Sequence, residues 1–274
     1  MAAVRRLIRI LDPGRLRGRV TLVPVVNEPA FWRGARTADD NLDLARTCPG
    51  QVDGSITQRI AAALSSLICS ADYYIDLHTG GLALELAPLA GYTLHADAAV
   101  LECQRRMARA FNLPLVWGTS PKLEGRSLSV ARDARVPAIY VEHGGGGSCD
   151  PAKVEDLVAG CLGVLAELGM IDRPNSNSPP RVRDVVEDDR EQSGHLQINY
   201  PSPCDGFFEP AVRLGQVIRA GEPIGSVSDA LGDARAAIPA AEGGMIVMLR
   251  AFRSVRRGDP LAAIVAGAGT GAGR

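Results

Sequence analysis

The order of hydrophobic and polar positions predicts alternating helices and strands over residues 1–172. Val4, Leu7, Ile8 and Leu11 recur at helical spacing, which predicts an amphipathic helix over residues 2–11. Further helices are predicted over residues 56–70, 101–111 and 154–168, with a helix or turn over 127–134. Strands are predicted over residues 18–26, 73–78, 113–117 and 136–142. This alternation is typical of an α/β domain.

The pattern changes after residue 172. Residues 173–180 (Arg-Pro-Asn-Ser-Asn-Ser-Pro-Pro) have the composition of a linker. Residues 181–265 lack a helical period and are rich in glycine turns, which predicts a small all-β domain. Residues 217–224 resemble residues 254–261, so we expect a pseudo-symmetric β-barrel or sandwich. The Gly/Ala-rich tail, residues 266–274, is predicted to be disordered.

Charge and cysteine usage narrow the class of protein. The 274 residues carry a formal net charge of −1, which gives no reason to expect nucleic acid or an anionic membrane as a partner. No apolar run reaches the length of a membrane span. The six cysteines form no C-x-x-C pair and no signal peptide is present, so we expect a reduced, cytoplasmic protein.

Three polar residues stand at the ends of predicted strands: Asn27, His78 and Glu142. In α/β sheets the binding crevice lies beyond the carboxyl ends of the strands. Asp76 precedes His78 by two residues and shares its face, so the carboxylate could orient the imidazole as a metal ligand. The alternative is a hydrogen-bonded histidine at a strand end.

Other residues complete the inventory of a hydrolase site. Glu142 could act as a general base, and Arg36 and Arg46 could stabilise an oxyanion or bind a substrate carboxylate. Catalytic zinc needs three protein ligands, and His78 is the one convincing ligand in this sequence. His143 should face away from Glu142, His95 and His195 suit surface or packing positions, and Asp39, Asp40 and Asp43 could brace their loop.

These motifs together resemble the succinylglutamate desuccinylase/aspartoacylase family, which is related to the zinc carboxypeptidases. The resemblance runs from about residue 4 to about residue 265. The motifs that carry it are residues 23–31 (Val-Pro-Val-Val-Asn-Glu-Pro-Ala-Phe), Arg36, Asp40, residues 43–46 (Asp-Leu-Ala-Arg), Pro49-Gly50, residues 76–80 (Asp-Leu-His-Thr-Gly) and residues 140–142 (Tyr-Val-Glu) before a glycine run.

The resemblance implies both a fold and a set of roles. The fold would be α/β, a zinc carboxypeptidase-like mixed sheet with flanking helices, followed by the small all-β domain. His78 would bind Zn²⁺, with Asp76 behind it. Glu142 would be the general base and acid, and Arg36 would polarise the scissile carbonyl. Arg46 would bind the substrate carboxylate, with Asn27 also at the substrate.

The sequence departs from the family pattern at two places. The family's other two zinc ligands come from a His-Gly-x-Glu motif, which should lie a few residues before Met1. We therefore expect a start codon further upstream or a truncated catalytic domain, weak zinc binding by His78 alone, and an open sheet edge. Secondly, Ala45 stands where the family has Asn, which removes one donor beside Arg46.

The sequence thus predicts a zinc-dependent hydrolase that cleaves the amide bond of an N-acyl amino acid or a similar small amide. Its partner would be that small molecule, with no nucleic acid or membrane and with a possible homo-oligomer. The alternative is a catalytically inactive homologue that acts as a binding or subunit-forming protein, as the missing zinc ligands suggest.

Overall fold

A computed structural model describes residues 1–172 and 179–269. The helices are α1 (Ala2–Ile10), α2 (Glu28–Trp32), α3 (Ile56–Cys69), α4 (Ala98–Phe111), α5 (Ser127–Asp133) and α6 (Pro151–Glu167). The strands are β1 (Tyr74–His78), β2 (Leu84–Thr93), β3 (Leu115–Thr119), β4 (Ala138–Gly145), β5 (Asp184–Glu187), β6 (Gly206–Pro210), β7 (Val217–Ile218), β8 (Pro223–Ser228), β9 (Ala234–Pro239), β10 (Gly244–Arg250), β11 (Ser254–Val255) and β12 (Ala262–Ala266). Short 3-10 helices cover Pro13–Arg15, Leu44–Arg46 and Leu196–Ile198.

An eight-stranded mixed sheet forms the centre of the fold. Strand β4 lies between β1, which is parallel to it, and β2, which is antiparallel. The other edge of β2 pairs with β3 in its second half and with β10 in its first half. Strand β5 extends the sheet beyond β3, and β7 and β12 pair with β10. The predicted fold class, a mixed sheet with flanking helices, is confirmed.

Helices cover both faces of this sheet. On one face, Leu7 of α1, Phe111 of α4 and Val164 of α6 pack against alternate residues of β4, Ile139 and Val141. On the other face, α3 and α5 pack together with Ala138 and Tyr140, the alternate set of β4. Since strand side chains alternate between faces, the even-numbered residues of β4 and β1 lie on the α3/α5 face.

Helices α4 and α6 approach each other closely at a glycine. A β-carbon at Gly163 would lie 2.4 Å from the carbonyl oxygen of Ala110. Because the obstacle is backbone, the two helices would have to move apart to accept a side chain there.

We expect Gly163→Ala to destabilise the protein by roughly 1–3 kcal/mol, the usual cost of overpacking. This outcome would reverse the gain of about 1 kcal/mol that alanine brings to an unconstrained helix position. Urea unfolding of the variant, beside Ala159→Ser at an exposed position of the same helix, measures the difference. A more stable Gly163→Ala protein would contradict the close packing.

The β-rich region confirms the internal repeat seen in the sequence. In both copies a two-residue strand, β7 or β11, is followed by a glycine turn, with Gly221 at φ +84° and Gly258 at φ +90°. The short strands are exchanged between the copies: β7 pairs with β10, and β11 pairs with β6. The second sheet, four-stranded and antiparallel, has the order β11-β6-β8-β9.

The region after the predicted linker is joined to the central sheet. Strands β5, β10 and β12 all belong to the eight-stranded sheet, although the sequence predicted a small β domain over residues 181–265. Most of the predicted linker, residues 173–178, lies outside the described residues, as do residues 270–274 of the predicted disordered tail. Residues 266–269 of that tail are ordered, since Ala268 is fully buried and the Gly269 amide donates to Asp184 Oδ1.

The structure differs from the predicted strands at two places. Residues 18–26 form no strand, because no neighbouring strand within the described ranges pairs with them. In contrast, β2 was not predicted, although it is the longest strand described. Its sequence contains Pro88, which a regular ladder excludes, and a bulge between Leu86 and Leu89 accommodates this proline.

Strand β1 pairs with β4 on one side only and forms the edge of the sheet within the described chain. Throughout the same ranges, every helix is too short or too polar to traverse a lipid bilayer.

Candidate functional site

The site begins at the pairing of β1 with β4. This parallel register sets His78 beside Glu142 and Asp76 beside Tyr140. All four side chains belong to the α3/α5 face. Two residues predicted from separate strand ends therefore lie next to each other at the edge of the sheet.

Asp76 holds the His78 ring from the same strand. His78 Nε2 lies 3.0 Å from Asp76 Oδ1, and the Ser127 hydroxyl donates to Asp76 Oδ2 at 2.5 Å. The His78 side chain is 43 % exposed, whereas that of Asp76 is 16 % exposed. Because Asp76 occupies Nε2, Nδ1 is the ring nitrogen left to bind an external group. The sequence analysis predicted the carboxylate but missed Ser127.

The pKa values of this pair reflect their mutual attraction. The carboxylate of Asp76 raises the pKa of His78 to about 9, against the opposing effect of burial. Burial acts to raise the pKa of Asp76, but the charge and hydrogen bond of His78 outweigh it and lower that pKa to about 2. Each partner therefore favours the charged form of the other, and binding of a metal ion to His78 would have to displace the ring proton.

Glu142 has the environment of a proton carrier. Its Oε2 atom is buried and has no hydrogen-bond partner among the described residues. Burial raises the pKa of Glu142 to about 7, although the charges of His78 and Arg36 oppose the change. A carboxyl group with a pKa close to neutral can both take up and return a proton at physiological pH.

Asp43 fixes Arg36 near these groups. Arg36 Nε and Nη2 donate to Asp43 Oδ2 at 3.0 and 2.9 Å. The positive charge of Arg36 acts to lower the pKa of both His78 and Glu142, so the guanidinium lies within electrostatic range of the two side chains. Asp43 also caps the 3-10 helix Leu44–Arg46 through the Ala45 amide at 3.0 Å, so one carboxylate organises the loop that carries both predicted arginines.

Arg46 lies in a second basic group that the sequence analysis only partly identified. Arg46 Nη2 is 2.9 Å from His195 Nε2, and Arg126 Nη1 donates to the Gly194 carbonyl at 3.1 Å. Burial lowers the pKa of Arg126 to about 10, and the neighbouring charge of Arg46 adds to this effect. Two like charges held together favour an anionic ligand between or beside them.

Asn27 caps the N-terminus of α2. Its Oδ1 accepts from the Ala30 amide at 3.2 Å and so caps α2, while its Nδ2 is buried without a hydrogen-bond partner among the described residues. The cap accounts for an asparagine at this position. A role at the substrate stays a prediction.

Asp40 joins its loop to the start of α3, in line with the bracing role predicted from the sequence. It accepts from the Ser55 hydroxyl at 2.6 Å, from the Thr57 amide at 2.8 Å and from the Thr57 hydroxyl at 2.8 Å. The Ser55 hydrogen bond is the main cause of the low pKa of Asp40, about 2. A carboxylate at a helix N-terminus is also favoured by the helix dipole.

We expect the stabilising effect of Asp40 to depend on pH. Its folded-state pKa is below its unfolded value, so the stabilisation is fully present above pH about 4 and is lost as the pH falls towards 2. Asp40→Asn should unfold at lower urea than the parent at pH 7, and the two midpoints should converge as the pH falls below 4. A gap that is constant with pH would contradict this mechanism.

His143 faces away from the site, as predicted. Its Nε2 lies 3.1 Å from Asp156 Oδ2 on α6, on the opposite side of the sheet from Glu142. Burial lowers the pKa of His143.

The described residues do not fit a zinc site. Across residues 1–172 and 179–269, no group of three His, Cys, Asp or Glu side chains could hold a metal ion. His78 offers one imidazole nitrogen, whereas a catalytic zinc takes three protein ligands. We therefore assign no chemical step to a metal.

Ser127, Arg126 and His195 are the site residues that the sequence analysis missed or placed elsewhere. Ser127 begins α5, Arg126 immediately precedes it, and His195 lies beyond the predicted linker, so all three are distant in sequence from the residues they contact. No spacing rule connects such positions.

Comparison with known proteins identifies relatives of the whole chain. The family model described as the succinylglutamate desuccinylase/aspartoacylase catalytic domain matches residues 1–168. The N-alpha-acetyl-L-2,4-diaminobutyric acid deacetylase of Halomonas elongata is 30 % identical over 273 residues, which cover 96 % of this chain and 77 % of the relative.

Solved structures show the same relationship. A succinylglutamate desuccinylase from a Silicibacter species superposes with a TM-score of 0.86 at 26 % identity, covering 96 % of this chain and 79 % of the other. The product-bound ectoine utilization protein EutE (DoeB) of Ruegeria pomeroyi gives a TM-score of 0.84 at 25 % identity, with the same coverage of 96 % and 79 %.

Proposed function

Because the chain belongs to the succinylglutamate desuccinylase/aspartoacylase family, we propose that it hydrolyses the amide bond of an N-acyl amino acid or a similar small amide. The observation that carries this proposal is the position of Glu142. Its carboxyl group, with Oε2 buried and without a hydrogen-bond partner among the described residues, lies beside His78 and within the electrostatic influence of Arg36.

In the proposed reaction Glu142 moves the protons. Its carboxylate removes a proton from a water molecule as the water oxygen bonds to the amide carbonyl carbon. The tetrahedral intermediate then collapses, the carbon–nitrogen bond breaks, and Glu142 returns the proton to the leaving amine nitrogen. The pKa of about 7 suits both directions of transfer.

Two basic groups have separate roles in this proposal. Arg36 presents a positive charge near Glu142, where it would stabilise the negative charge that develops on the carbonyl oxygen. Arg46 and Arg126 would bind the substrate carboxylate. A guanidinium suits this role because its planar donors match the two oxygens of a carboxylate.

The name of the Halomonas relative suggests the first substrate to test. Purified protein should release a primary amine from N-α-acetyl-L-2,4-diaminobutyrate, and N-succinyl-L-glutamate and N-acetyl-L-aspartate are the comparison substrates. Because the first substrate has a free side-chain amine from the start, the amine assay for all three is chromatographic detection of the amino acid that is released. Failure to release amine from any N-acyl amino acid, with or without added zinc, would contradict the proposed function.

We expect Arg46→Gln to raise KM for a carboxylate-bearing substrate by roughly 10- to 100-fold, the usual cost of a charged hydrogen bond, with a smaller change in kcat. Arg59→Gln, at an exposed position on α3, is the matched control and should leave both constants unchanged. An Arg46→Gln enzyme with unchanged KM would remove Arg46 from the carboxylate site.

The resemblance to the family implies that the hydrolysis depends on zinc, which is a proposal separate from the reaction itself. The described residues supply only His78 as a convincing ligand, so we expect this chain to retain zinc poorly. Metal content after dialysis should be well below one zinc per chain. Near-stoichiometric zinc that His78→Ala abolishes would show that further residues complete the site.

A second candidate function is a non-catalytic binding protein, which the single zinc ligand favours. Such a protein would bind an N-acyl amino acid without releasing amine. Calorimetric binding combined with the amine assay distinguishes the two functions.

A further inference from the structure

Three loops from distant parts of the chain meet at Arg46. The Cys48 amide donates to the Gly125 carbonyl at 3.0 Å, which joins the Arg46 loop to the loop before α5. Gly125 has φ +76°, and a β-carbon there would lie 2.8 Å from the Arg46 carbonyl oxygen. The close approach therefore requires glycine and brings Arg126, the next residue, against the Arg46 loop.

The third loop comes from beyond the predicted linker and is fixed by Ser193. The Ser193 hydroxyl accepts from the Ser120 amide at 2.7 Å and donates to the Asp188 carbonyl at 2.5 Å. Residues 194 and 195 are thereby held at the end of β3. From this position Gly194 presents its carbonyl to Arg126, and His195 presents Nε2 to Arg46.

The contact between His195 and Arg46 settles the state of the imidazole. A guanidinium has only donors, so His195 Nε2 must be the acceptor and Nδ1 must carry the ring proton. Burial and the charges of both arginines lower the pKa of His195 to about 4, in agreement with a neutral ring. A neutral acceptor restricts the guanidinium without cancelling its charge, whereas a carboxylate at this position would cancel it.

We propose that His195 is a positioning residue that orients the Arg46 guanidinium for a ligand carboxylate, as a neutral acceptor that does not itself cancel the charge of the arginine. This inference deepens the proposed function and rests on the carboxylate-binding role of Arg46. It also gives the region after residue 180 a direct part in substrate recognition.

Three variants of His195 separate orientation from charge. His195→Gln keeps an acceptor near the position of Nε2, His195→Leu removes the acceptor, and His195→Glu keeps an acceptor but adds a negative charge. Each is made in a Glu142→Gln background so that the ligand is not hydrolysed. The probes are N-α-acetyl-L-2,4-diaminobutyrate and its carboxamide, with affinities measured by titration calorimetry.

We expect His195→Leu and His195→Glu each to weaken carboxylate binding roughly tenfold or more, as for loss of a hydrogen bond to a charged group. His195→Gln should stay within about threefold of the parent on the same scale. Carboxamide affinity should be the same in the parent and in all three variants. A merely structural role of His195 would instead weaken the binding of both probes. Thermal unfolding checks that each variant is folded.

Three results would overturn the inference: unchanged carboxylate affinity in His195→Leu, equal losses for carboxylate and carboxamide, or no binding of the carboxylate probe by the parent. The proposed function fails differently. If the wild-type protein releases no amine while the contrast between the two probes persists, the reaction is wrong and the role of His195 stands.

Discussion

Replacement of Glu142 by glutamine is expected to reduce kcat for amide hydrolysis by roughly 10²–10⁴-fold, the range that general base catalysis contributes. Glutamine has nearly the same shape but cannot accept a proton from water. Because Glu142 lies beside His78 on the neighbouring strand without bonding to it in the described contacts, the change should leave the His78–Asp76 pair intact.

The design isolates proton transfer from binding. KM for N-α-acetyl-L-2,4-diaminobutyrate should change much less than kcat, and zinc content should equal that of the parent. Glu209→Gln, at an exposed position on β6, is the matched control. If Glu142→Gln retained more than about a tenth of the parent turnover, the loss would be smaller than general base catalysis contributes. Another group would then have to serve as the base.

Phe111→Ala should produce the largest loss of stability among these variants, roughly 3–5 kcal/mol in the free energy of unfolding. Phe111 is 1 % exposed at the end of α4, within the cluster that joins α1, α4 and α6 to the sheet. Its ring fits against Gly160 of α6, where a β-carbon would lie 2.2 Å from Cε1 of the ring. Alanine would leave a cavity between two helices that cannot close without repacking.

Phe252→Ala is the matched control for this prediction. Phe252 is 63 % exposed, so the same chemical change should alter the free energy of unfolding by less than about 0.5 kcal/mol. Urea unfolding with the slope compared between variants measures both. A loss below about 1.5 kcal/mol for Phe111→Ala would indicate that the interface relaxes into the cavity.

The sequence was informative where a local period exists. The 3.6-residue period located α3, α4 and α6 to within a few residues, because each helix buries one continuous face. A two-residue period placed Asp76 and His78 on one face of β1, which the structure confirms. Strand β2 was not predicted because Pro88 interrupts its apolar stretch. The bulge that accommodates this proline depends on pairing with β4, which the sequence pattern does not show.

The remaining parts of the site depend on contacts between distant segments. Sequence reasoning put His78 and Glu142 at two strand ends, but only the register of β1 on β4 sets them side by side. The contact of His195 with Arg46 depends on Ser193 docking at the end of β3. Neither relationship leaves a pattern in the residues themselves.

One edge of strand β2 pairs with β3 and with β10. This arrangement limits which segments of the chain can be deleted or replaced by those of a relative. Removal of everything after residue 180 would strip β10 from β2 and β5 from β3, leaving unpaired backbone along strands that are otherwise buried. We therefore expect the two regions to unfold as one cooperative unit, with a single transition in thermal denaturation. A C-terminal region taken from a relative would have to match this sheet edge as well as the contacts of residues 193–195 with the Arg46 and Arg126 loops.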